Sequence, residues 1–335
     1  MSIMSLGKAL SKRGFFWGVL IGVFCWSLGW AVLIFGQLGR PHPDNAWVIG
    51  VYDAKIQAIE NIINKPKLLI VGGSASLFGI DSSTLSKELG MPSVNFGTNA
   101  GVGTHALPDK ADAYVGEGDL ILMPLEYRLL LWDGFPSYVT LSWALQHPSD
   151  LLRWNFKSLM WGFWHLPAAR VWQGYSNLQL TLASDRPYGP HRINHHGDQI
   201  LTEASERSKE QWLKLIRHPP ERYDEYLSAS TYGLNLWEYY WRRWQARGAC
   251  LLVIPPPFLD HSSYHTPASE EFFDGIPERV RSRGVDYLGK PQDVFFPVEA
   301  MFDTNYHLTD EGRSVYTRWI LDMLDTVGSS CLPLR

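Results

Sequence analysis

The sequence has little charge, few cysteines and no concentrated positive charge. Charged residues make up 19% of the 335 positions, and the formal net charge is −4. Nucleic-acid binding relies on clustered lysine and arginine, so the absence of a basic run argues against a nucleic acid as a partner. Hydrophobic residues reach 45%, which is typical of a folded protein with a substantial core.

Two further signatures of ligand binding are missing. The segment GVGTHA at 101–106 lacks the Gly-Lys-Ser/Thr element of a phosphate-binding loop. Another segment contains residue types that bind metals: His191, His195, His196 and Asp198. Their spacing matches no zinc pattern, which favours a solvated loop. We therefore expect no metal and no cofactor.

An uncharged apolar segment extends from Gly14 to Gly36. As a helix it would be about 35 Å long, at roughly 1.5 Å per residue, which is enough to cross a hydrocarbon core of roughly 30 Å. A cleaved signal peptide is the alternative, but the segment is long for one and no small-x-small cleavage site follows it. We expect one transmembrane anchor at 14–36 and a single-pass protein.

Positive charge is unequal on the two sides of this segment. Lys8, Lys12 and Arg13 precede it, and only Arg40 follows closely. The positive-inside rule then makes residues 1–13 a cytoplasmic tail and predicts that the rest of the chain is extracytoplasmic.

Short apolar runs alternate with helical patterns after the anchor. The predicted strands are Lys67–Val71, Ser93–Phe96, Asp119–Met123, Cys250–Ile254 and Val285–Leu288. The predicted helices are Val51–Asn64, Ser82–Leu89, Ala106–Val115, Glu270–Arg283 and Thr309–Thr326. Short buried strands separated by helices favour parallel pairing with helices on both faces. We predict an α/β fold with a doubly wound, mostly parallel five-stranded sheet.

These elements divide the chain. Residues 37–64 are predicted to be a linker and a helix, and residues 65–330 to form the α/β domain. A long insertion rich in tryptophan occupies about residues 127–247, between the third and fourth strands. Most of its tryptophans are expected to pack helices together, and exposed ones to stack on sugar rings or rest at the bilayer surface.

A serine follows the first predicted strand, in the segment VGGSASLFGID. Binding sites in parallel α/β sheets lie beyond the carboxyl ends of the strands, where Ser74 is expected. Alone, the Gly-Gly-Ser motif favours a capping residue in a turn, because a serine nucleophile needs an adjacent base.

A histidine with a nearby acid precedes the last predicted helix, in FDTNYHLTDEG. From this loop His307 can reach the end of the first strand. Asp303, four residues earlier, can accept a hydrogen bond from the ring and fix its tautomer. The pattern predicts a triad of Ser74, His307 and Asp303, with the His307 and Ser74 side chains at an open strand-end cleft.

Three segments in this order resemble the SGNH/GDSL hydrolase superfamily: GGS, NFGTNAG and FDTNYHLT. The similarity is greatest to its membrane-anchored extracytoplasmic branch, which includes alginate O-acetylation proteins and the teichoic-acid D-alanylation protein. It covers about residues 65–126 and 248–326, and it implies an SGNH-like fold. It also implies that Ser74 is the nucleophile and His307 the base.

The second segment, Asn95–Gly101, helps to form the oxyanion hole in this superfamily. The resemblance therefore implies backbone donors at Ser74 and from Asn99 to Gly101. The acid departs from the family pattern, in which it lies three residues before the histidine. Either a local bulge accommodates Asp303, or the acid is Asp260 or Asp198.

The third family segment supplies an oxyanion asparagine that this sequence lacks. Glu126 occupies the corresponding strand end. It is expected to anchor a loop, with contact to a substrate hydroxyl or an arginine as alternatives, and Asn95 is a second residue for such a role. Losing one oxyanion donor typically costs about 10²–10³ in rate.

The resemblance and the anchor together predict a membrane-anchored serine acyltransferase on the periplasmic side of a bacterial inner membrane. Ser74 would pass an acyl group, acetyl by the resemblance, to a cell-envelope or exported polysaccharide. The family implies a multi-pass membrane acyltransferase as a partner. A carbohydrate esterase with the same triad and a non-catalytic scaffold or glycan-binding subunit are the alternatives.

Three cysteines fit this location. Cys25 lies in the anchor, whereas Cys250 and Cys331 lie outside it, where a disulfide can persist. A buried apolar thiol at Cys250 is the other interpretation.

Overall fold

The structure is a computed structural model that describes residues 12–176, 188–222 and 230–326. The strands are β1 Leu68–Ile70, β2 Ser93–Asn95, β3 Leu120–Pro124, β4 Cys250–Ile254, β5 Phe258–Leu259, β6 Asp286–Tyr287 and β7 Phe295–Phe296. The helices up to β4 are α1 Lys12–Phe35, α2 Pro43–Glu60, α3 Ser74–Gly79, α4 Ser82–Leu89, α5 Ala106–Asp112, α6 Tyr127–Leu130, α7 Tyr138–Gln146, α8 Phe156–His165, α9 Ala168–Tyr175, α10 Lys209–Ile216 and α11 Tyr232–Ala246. The helices after β4 are α12 Pro267–Arg281 and α13 Asp310–Thr326.

Five strands form one sheet in the order β2-β1-β3-β4-β6, and every pair is parallel. In this register Ile70 lies beside Asn95 on one side and Leu122 on the other. The predicted α/β class and the five-stranded sheet are confirmed. Because all the strands run the same way, the segments that follow β1, β2 and β3 meet at one edge of the sheet.

Helices cover both faces of this sheet. Leu69 and Ile121 belong to a core that includes residues of α5, α11 and α12. Leu68 and Leu120 belong to a second core that includes residues of α4 and α13. Alternate residues of β1 and β3 therefore enter opposite cores, and these two strands are apolar throughout because neither of their faces meets water.

The start of α2 and a second sheet differ most from the sequence prediction. Helix α2 begins at Pro43 rather than Val51, because His42 caps it by accepting a hydrogen bond from the Asp44 N–H and proline suits the first helical turn. Strands β5 and β7 pair in a second, two-stranded sheet that was not predicted. Two-residue strands are too short to show a periodicity.

The described part of the tryptophan-rich insertion contains six α-helices. Helices α6 to α11 lie between β3 and β4. Four of its tryptophans are fully buried: Trp143, Trp237, Trp241 and Trp244. Three of these lie on α11, which packs on the sheet, and the Trp241 indole N–H donates to Met123 Sδ at 3.1 Å. These side chains fill the core, as helix-packing residues do.

Helix α1 contains an apolar segment, Gly14–Phe35, of mean hydropathy 2.2, none of which is buried. The segment is long and apolar enough to span a membrane. Cys25 is an exposed free cysteine on this helix. Cys250 takes part in a disulfide, whereas Cys331 lies outside the described residues.

Candidate active site

Ser74 is the first residue of α3, just beyond the carboxyl end of β1, and its side chain is half-buried. The preceding glycine is required there. A Cβ atom at Gly73 would lie 2.3 Å from Glu126 Oε1, so any other residue would collide with that carboxylate. The Gly-Gly-Ser motif therefore lets the chain turn against Glu126 and start a helix at Ser74.

Asp303 and His307 are in contact. Asp303 Oδ1 lies 2.7 Å from His307 Nδ1, and the predicted hydrogen bond between them is thus present. The loop that contains them is closed by an antiparallel bridge between Met301 and Leu308 and by a 2.6 Å hydrogen bond from Phe302 N to His307 O. This closed loop accommodates the four-residue spacing and orients the acid toward the ring.

A tyrosine from the insertion completes the surroundings of the acid. The Tyr188 hydroxyl donates to Asp303 Oδ2, the oxygen that His307 leaves free. Burial alone would raise the pKa of Asp303, but the charge of His307 and the hydrogen bonds from His307 and Tyr188 outweigh it and lower the pKa below its usual value. Asp303 is thus held ionised.

Neither alternative acid reaches His307. Asp260 pairs with His265 at 2.7 Å. Asp198 accepts hydrogen bonds from the hydroxyl and the N–H of Ser82 and from the Asn95 side chain. Asp198 therefore fixes the start of α4 and the end of β2.

His307 lies over the helix that begins with Ser74. Its ring stacks on Phe78 with 3.9 Å between ring centroids and 3° between planes. Phe78 follows Ser74 by four residues, so both lie on the same face of α3. No hydrogen bond joins the Ser74 hydroxyl to His307 within the described residues. Catalytic hydrogen bonds commonly tighten only when substrate is bound.

The site is less open than the sequence suggested. His307 is 7% exposed and Asp303 is 6% exposed, whereas an open cleft was predicted. The aromatic rings of Phe78 and Tyr188 cover the histidine from two directions. Only Ser74 of the three predicted triad residues retains partial exposure.

Glu126 anchors the serine segment. Its carboxylate accepts hydrogen bonds from the N–H of Gly73 at 3.1 Å and of Ala75 at 2.8 Å. Burial raises its pKa to about 7, although the backbone hydrogen bonds and the charge of His307 oppose the rise. The loop-anchoring role that was expected of Glu126 agrees with these contacts.

The predicted oxyanion segment lies beside the serine, but two of its amides have partners. Asn99 N–H donates to the Thr98 hydroxyl, and Gly101 N–H donates to the Asn99 side chain at 2.8 Å. The Ser74 N–H makes no hydrogen bond within the described part of the chain. Of this predicted set, Ser74 and Ala100 therefore keep amides without a partner among the described residues.

Asn95 is a structural residue in this arrangement. It is fully buried, and its side-chain NH₂ donates to Ser76 O at 2.7 Å and to Asp198 Oδ1 at 3.0 Å. Its side-chain oxygen accepts from Gly97 N–H. These bonds tie the end of β2 to the underside of α3, and they support the loop-anchoring alternative over substrate contact.

Two partners of the triad were missed by sequence reasoning. Tyr188 is far from Asp303 along the chain, and no motif marks it. Phe78 carried a signal, because its spacing from Ser74 places it one helical turn away on the same side of any helix that begins there.

Searches of family models, of curated proteins and of solved structures found no match to this chain. The arrangement itself defines what the site can do. It contains a half-buried serine hydroxyl, a histidine stacked on the side chain one helical turn after that serine, and an ionised acid that orients the histidine. These are the parts of a serine acyl-transfer site.

Proposed function

We propose that this protein is a membrane-anchored serine acyltransferase with an SGNH-like, doubly wound catalytic domain. The observation that carries the proposal is the Asp303–His307 contact, in which the His307 ring stacks on Phe78, one helical turn after Ser74 at the carboxyl edge of the sheet. A histidine oriented by an ionised acid is the group that a serine nucleophile requires.

In the proposed reaction the Ser74 oxygen attacks the carbonyl carbon of an acyl donor, and His307 Nε2 takes the hydroxyl proton. Asp303 stabilises the resulting imidazolium, which then protonates the leaving group. The acyl group is now esterified to Ser74. An acceptor hydroxyl gives its proton to His307, attacks the same carbonyl, and leaves with the acyl group while Ser74 regains its proton.

The negative oxygen of each tetrahedral intermediate needs donors. The unpartnered Ser74 N–H is one of them in our proposal. The amides of Gly73 and Ala75, on either side of it in the chain, are bonded to Glu126. Glu126 therefore replaces the family's asparagine with a group that holds the loop.

The acceptor in this proposal is a cell-envelope or exported polysaccharide, and a multi-pass membrane acyltransferase supplies the acyl group. Residues 14–36 anchor the protein in a bacterial inner membrane, with residues 1–13 in the cytoplasm. The lysines and arginine before the anchor support this orientation. An esterase that transfers the acyl group to water would use the same three residues.

One observation favours a non-catalytic scaffold instead. Two amides beside Ser74 are occupied by a buried carboxylate, which would repel a developing oxyanion when it is ionised. A scaffold would keep the fold and the Asp303–His307 contact without turnover.

Hydrolysis of a small ester distinguishes a catalytic protein from a scaffold. The full chain in detergent micelles should hydrolyse a small acetyl ester, and Ser74→Ala should abolish turnover. Ser76→Ala is the matched control, because Ser76 lies two residues on in α3 and its buried hydroxyl has no partner. Equal turnover by the Ser74→Ala and Ser76→Ala proteins would leave only the scaffold.

A further inference from the structure

The insertion makes direct contact with the anchor helix. The Trp164 indole of α8 stacks on Trp26 of α1, with ring centroids 5.6 Å apart. The Trp30 indole N–H donates to Phe163 O at 2.9 Å, and the Tyr175 hydroxyl of α9 donates to Leu33 O at 2.6 Å. Helices α8 and α9 thus lie along the half of α1 nearest the folded domain.

These contacts occur at a depth where a spanning helix is surrounded by lipid. Trp26 precedes the end of α1 at Phe35 by nine residues, which is about 13 Å along a helix at roughly 1.5 Å per residue. Each leaflet contributes about half the thickness of a hydrocarbon core that is roughly 30 Å across. If α1 spans the bilayer up to Phe35, Trp164 lies near the middle of the membrane.

The outer surface of this region is apolar. Within the described residues, seven of the thirteen exposed large hydrophobic side chains beyond α1 lie between Leu152 and Trp172. They are Leu152, Phe156, Leu159, Met160, Trp161, Trp164 and Trp172. Soluble surfaces rarely concentrate exposed apolar residues in this way, and such patches mark contact with a membrane or a protein.

The charge of the same segment suits a phospholipid surface. Residues 151–176 contain no aspartate or glutamate, and Lys157 of α8 is exposed, whereas Arg153 before α8 pairs with Asp109. Tryptophan, phenylalanine and leucine on one side with lysine and arginine beside them are typical of helices that lie in a membrane interface.

We propose that α8 and α9, residues 156–175, form a second membrane-embedded element that sits in the leaflet beside α1 without crossing it. The acyl chains of the bilayer contact the exposed apolar surface of these helices. This inference rests on the membrane anchoring by α1 proposed above. It would fix the domain against the membrane at two places, so that Ser74 stays at a constant height above the lipid.

Spin labels can measure this depth in the full chain, reconstituted in vesicles of phosphatidylethanolamine and phosphatidylglycerol. Met160→Cys and Trp172→Cys are made in a Cys25→Ala background. Cys25 of the otherwise unchanged protein is the reference for α1. Tyr239→Cys on α11 is the matched control, because Tyr239 is an aromatic residue with 50% exposure and lies on a helix that packs on the sheet.

Power-saturation spectra compare collisions with oxygen, which concentrates in lipid, and with a nickel chelate, which stays in water. We expect the oxygen-to-nickel ratio at position 160 to approach that of Cys25. The ratio at position 172, whose helix contacts α1 near Leu33, should lie between those of Cys25 and position 239. If Cys25 is in lipid but the ratios at positions 160 and 172 equal that at position 239, the inference about α8 and α9 is overturned while membrane anchoring by α1 stands.

A water-like ratio at Cys25 as well would contradict membrane anchoring itself and, with it, the localisation in the proposed function. Labels at 160 and 172 that are aqueous in the purified vesicles but shielded from both reagents in native membranes would also overturn the inference. That result would assign the surface to a partner protein rather than to lipid.

Discussion

Two buried carboxylates lie close to the Ser74 segment, and their surroundings move their pKa values in opposite directions. Asp303 has a lowered pKa because, despite its burial, it accepts hydrogen bonds from His307 and Tyr188 and lies next to a histidine that can carry charge. Glu126 has a pKa raised to about 7, because burial outweighs its backbone hydrogen bonds. Both acids are at most 6% exposed.

The opposite pKa shifts of Asp303 and Glu126 come from their hydrogen-bond partners and neighbouring charges rather than from how deeply each acid is buried. A positively charged ring stabilises an ionised acid more than two amide dipoles do. Asp303 can therefore stay ionised and support an imidazolium, whereas Glu126 changes its protonation state near neutral pH. Environments that separate two acids in this way commonly assign them different roles at one site.

Removing His307 should have the largest effect on turnover, because it removes the proposed base and the charged partner that keeps Asp303 ionised. His307→Ala should reduce kcat of ester turnover as much as Ser74→Ala does, on the order of 10⁶ if the residues act as one unit. The double variant should be scarcely slower than either variant. Steady-state kinetics on the three proteins measure this.

His307→Ala should also lower the melting temperature, because it leaves the buried Asp303 with Tyr188 alone. Breaking a buried charged pair typically costs about 3–5 kcal/mol. Ser74→Ala should melt like the unchanged protein, because its half-buried hydroxyl has no partner in the described structure. The kinetic result has its own contradicting outcome. If kcat of the double variant falls by the product of the two single-variant factors, Ser74 and His307 act independently.

Asp303→Asn tests whether the ionised acid itself matters. The asparagine NH₂ would face Nδ1 and favour the tautomer with a proton on Nε2, which cannot accept the serine proton. We expect kcat to fall by on the order of 10⁴, as it does in the protease triad. An unchanged kcat would remove Asp303 from the mechanism and would leave a Ser-His pair.

Glu126→Gln tests the raised pKa of Glu126 through the pH dependence of folding stability. The pKa of Glu126 is higher in the folded protein than its ordinary value of 4.5, so folding favours the protonated acid. The stability of the unchanged protein relative to Glu126→Gln should therefore fall as the pH rises from about 4.5 to about 7, by about 3 kcal/mol at 1.36 kcal/mol per pKa unit.

Unfolding of both proteins in detergent at pH 5 and pH 8 gives this difference. The reference variant removes the titrating group and retains one acceptor oxygen for the amides of Gly73 and Ala75. A relative stability that increases with pH would mean that the folded protein favours the ionised carboxylate, and the contrast with Asp303 would disappear.

Tyr188→Phe should give the smallest effect. It removes one of the two hydrogen bonds to Asp303 and leaves His307 in place, so we expect a loss of about 1 kcal/mol in stability and a modest change in kcat. Tyr287→Phe is the matched control, because its buried hydroxyl has no partner. Melting temperatures that fall equally in both variants would contradict a specific role for Tyr188.

The sheet could be predicted from the sequence because its strands are short apolar runs between helices. Helix α4 and strand β4 have the predicted boundaries, Ser82–Leu89 and Cys250–Ile254. The N-terminus of α2 was missed because its cap is a histidine, which the usual capping preferences do not include.

The site was predictable where its residues are close in sequence. The Asp303–His307 contact follows from four residues in one loop. Tyr188 and the Glu126–amide contacts depend on how distant segments meet, which neither periodicity nor spacing encodes. The burial of His307 was missed for the same reason, because Phe78 and Tyr188 come from different parts of the chain.

The central claim is that Ser74 is a nucleophile activated by His307, and a fluorophosphonate probe tests it most directly. The full chain in detergent is incubated with the probe, and the modified peptide is identified by mass spectrometry. We predict an adduct on Ser74 that is lost in His307→Ala, while Ser76→Ala reacts like the unchanged protein. A folded, unchanged protein that forms no adduct at Ser74, or an adduct that forms equally fast without His307, would contradict the claim.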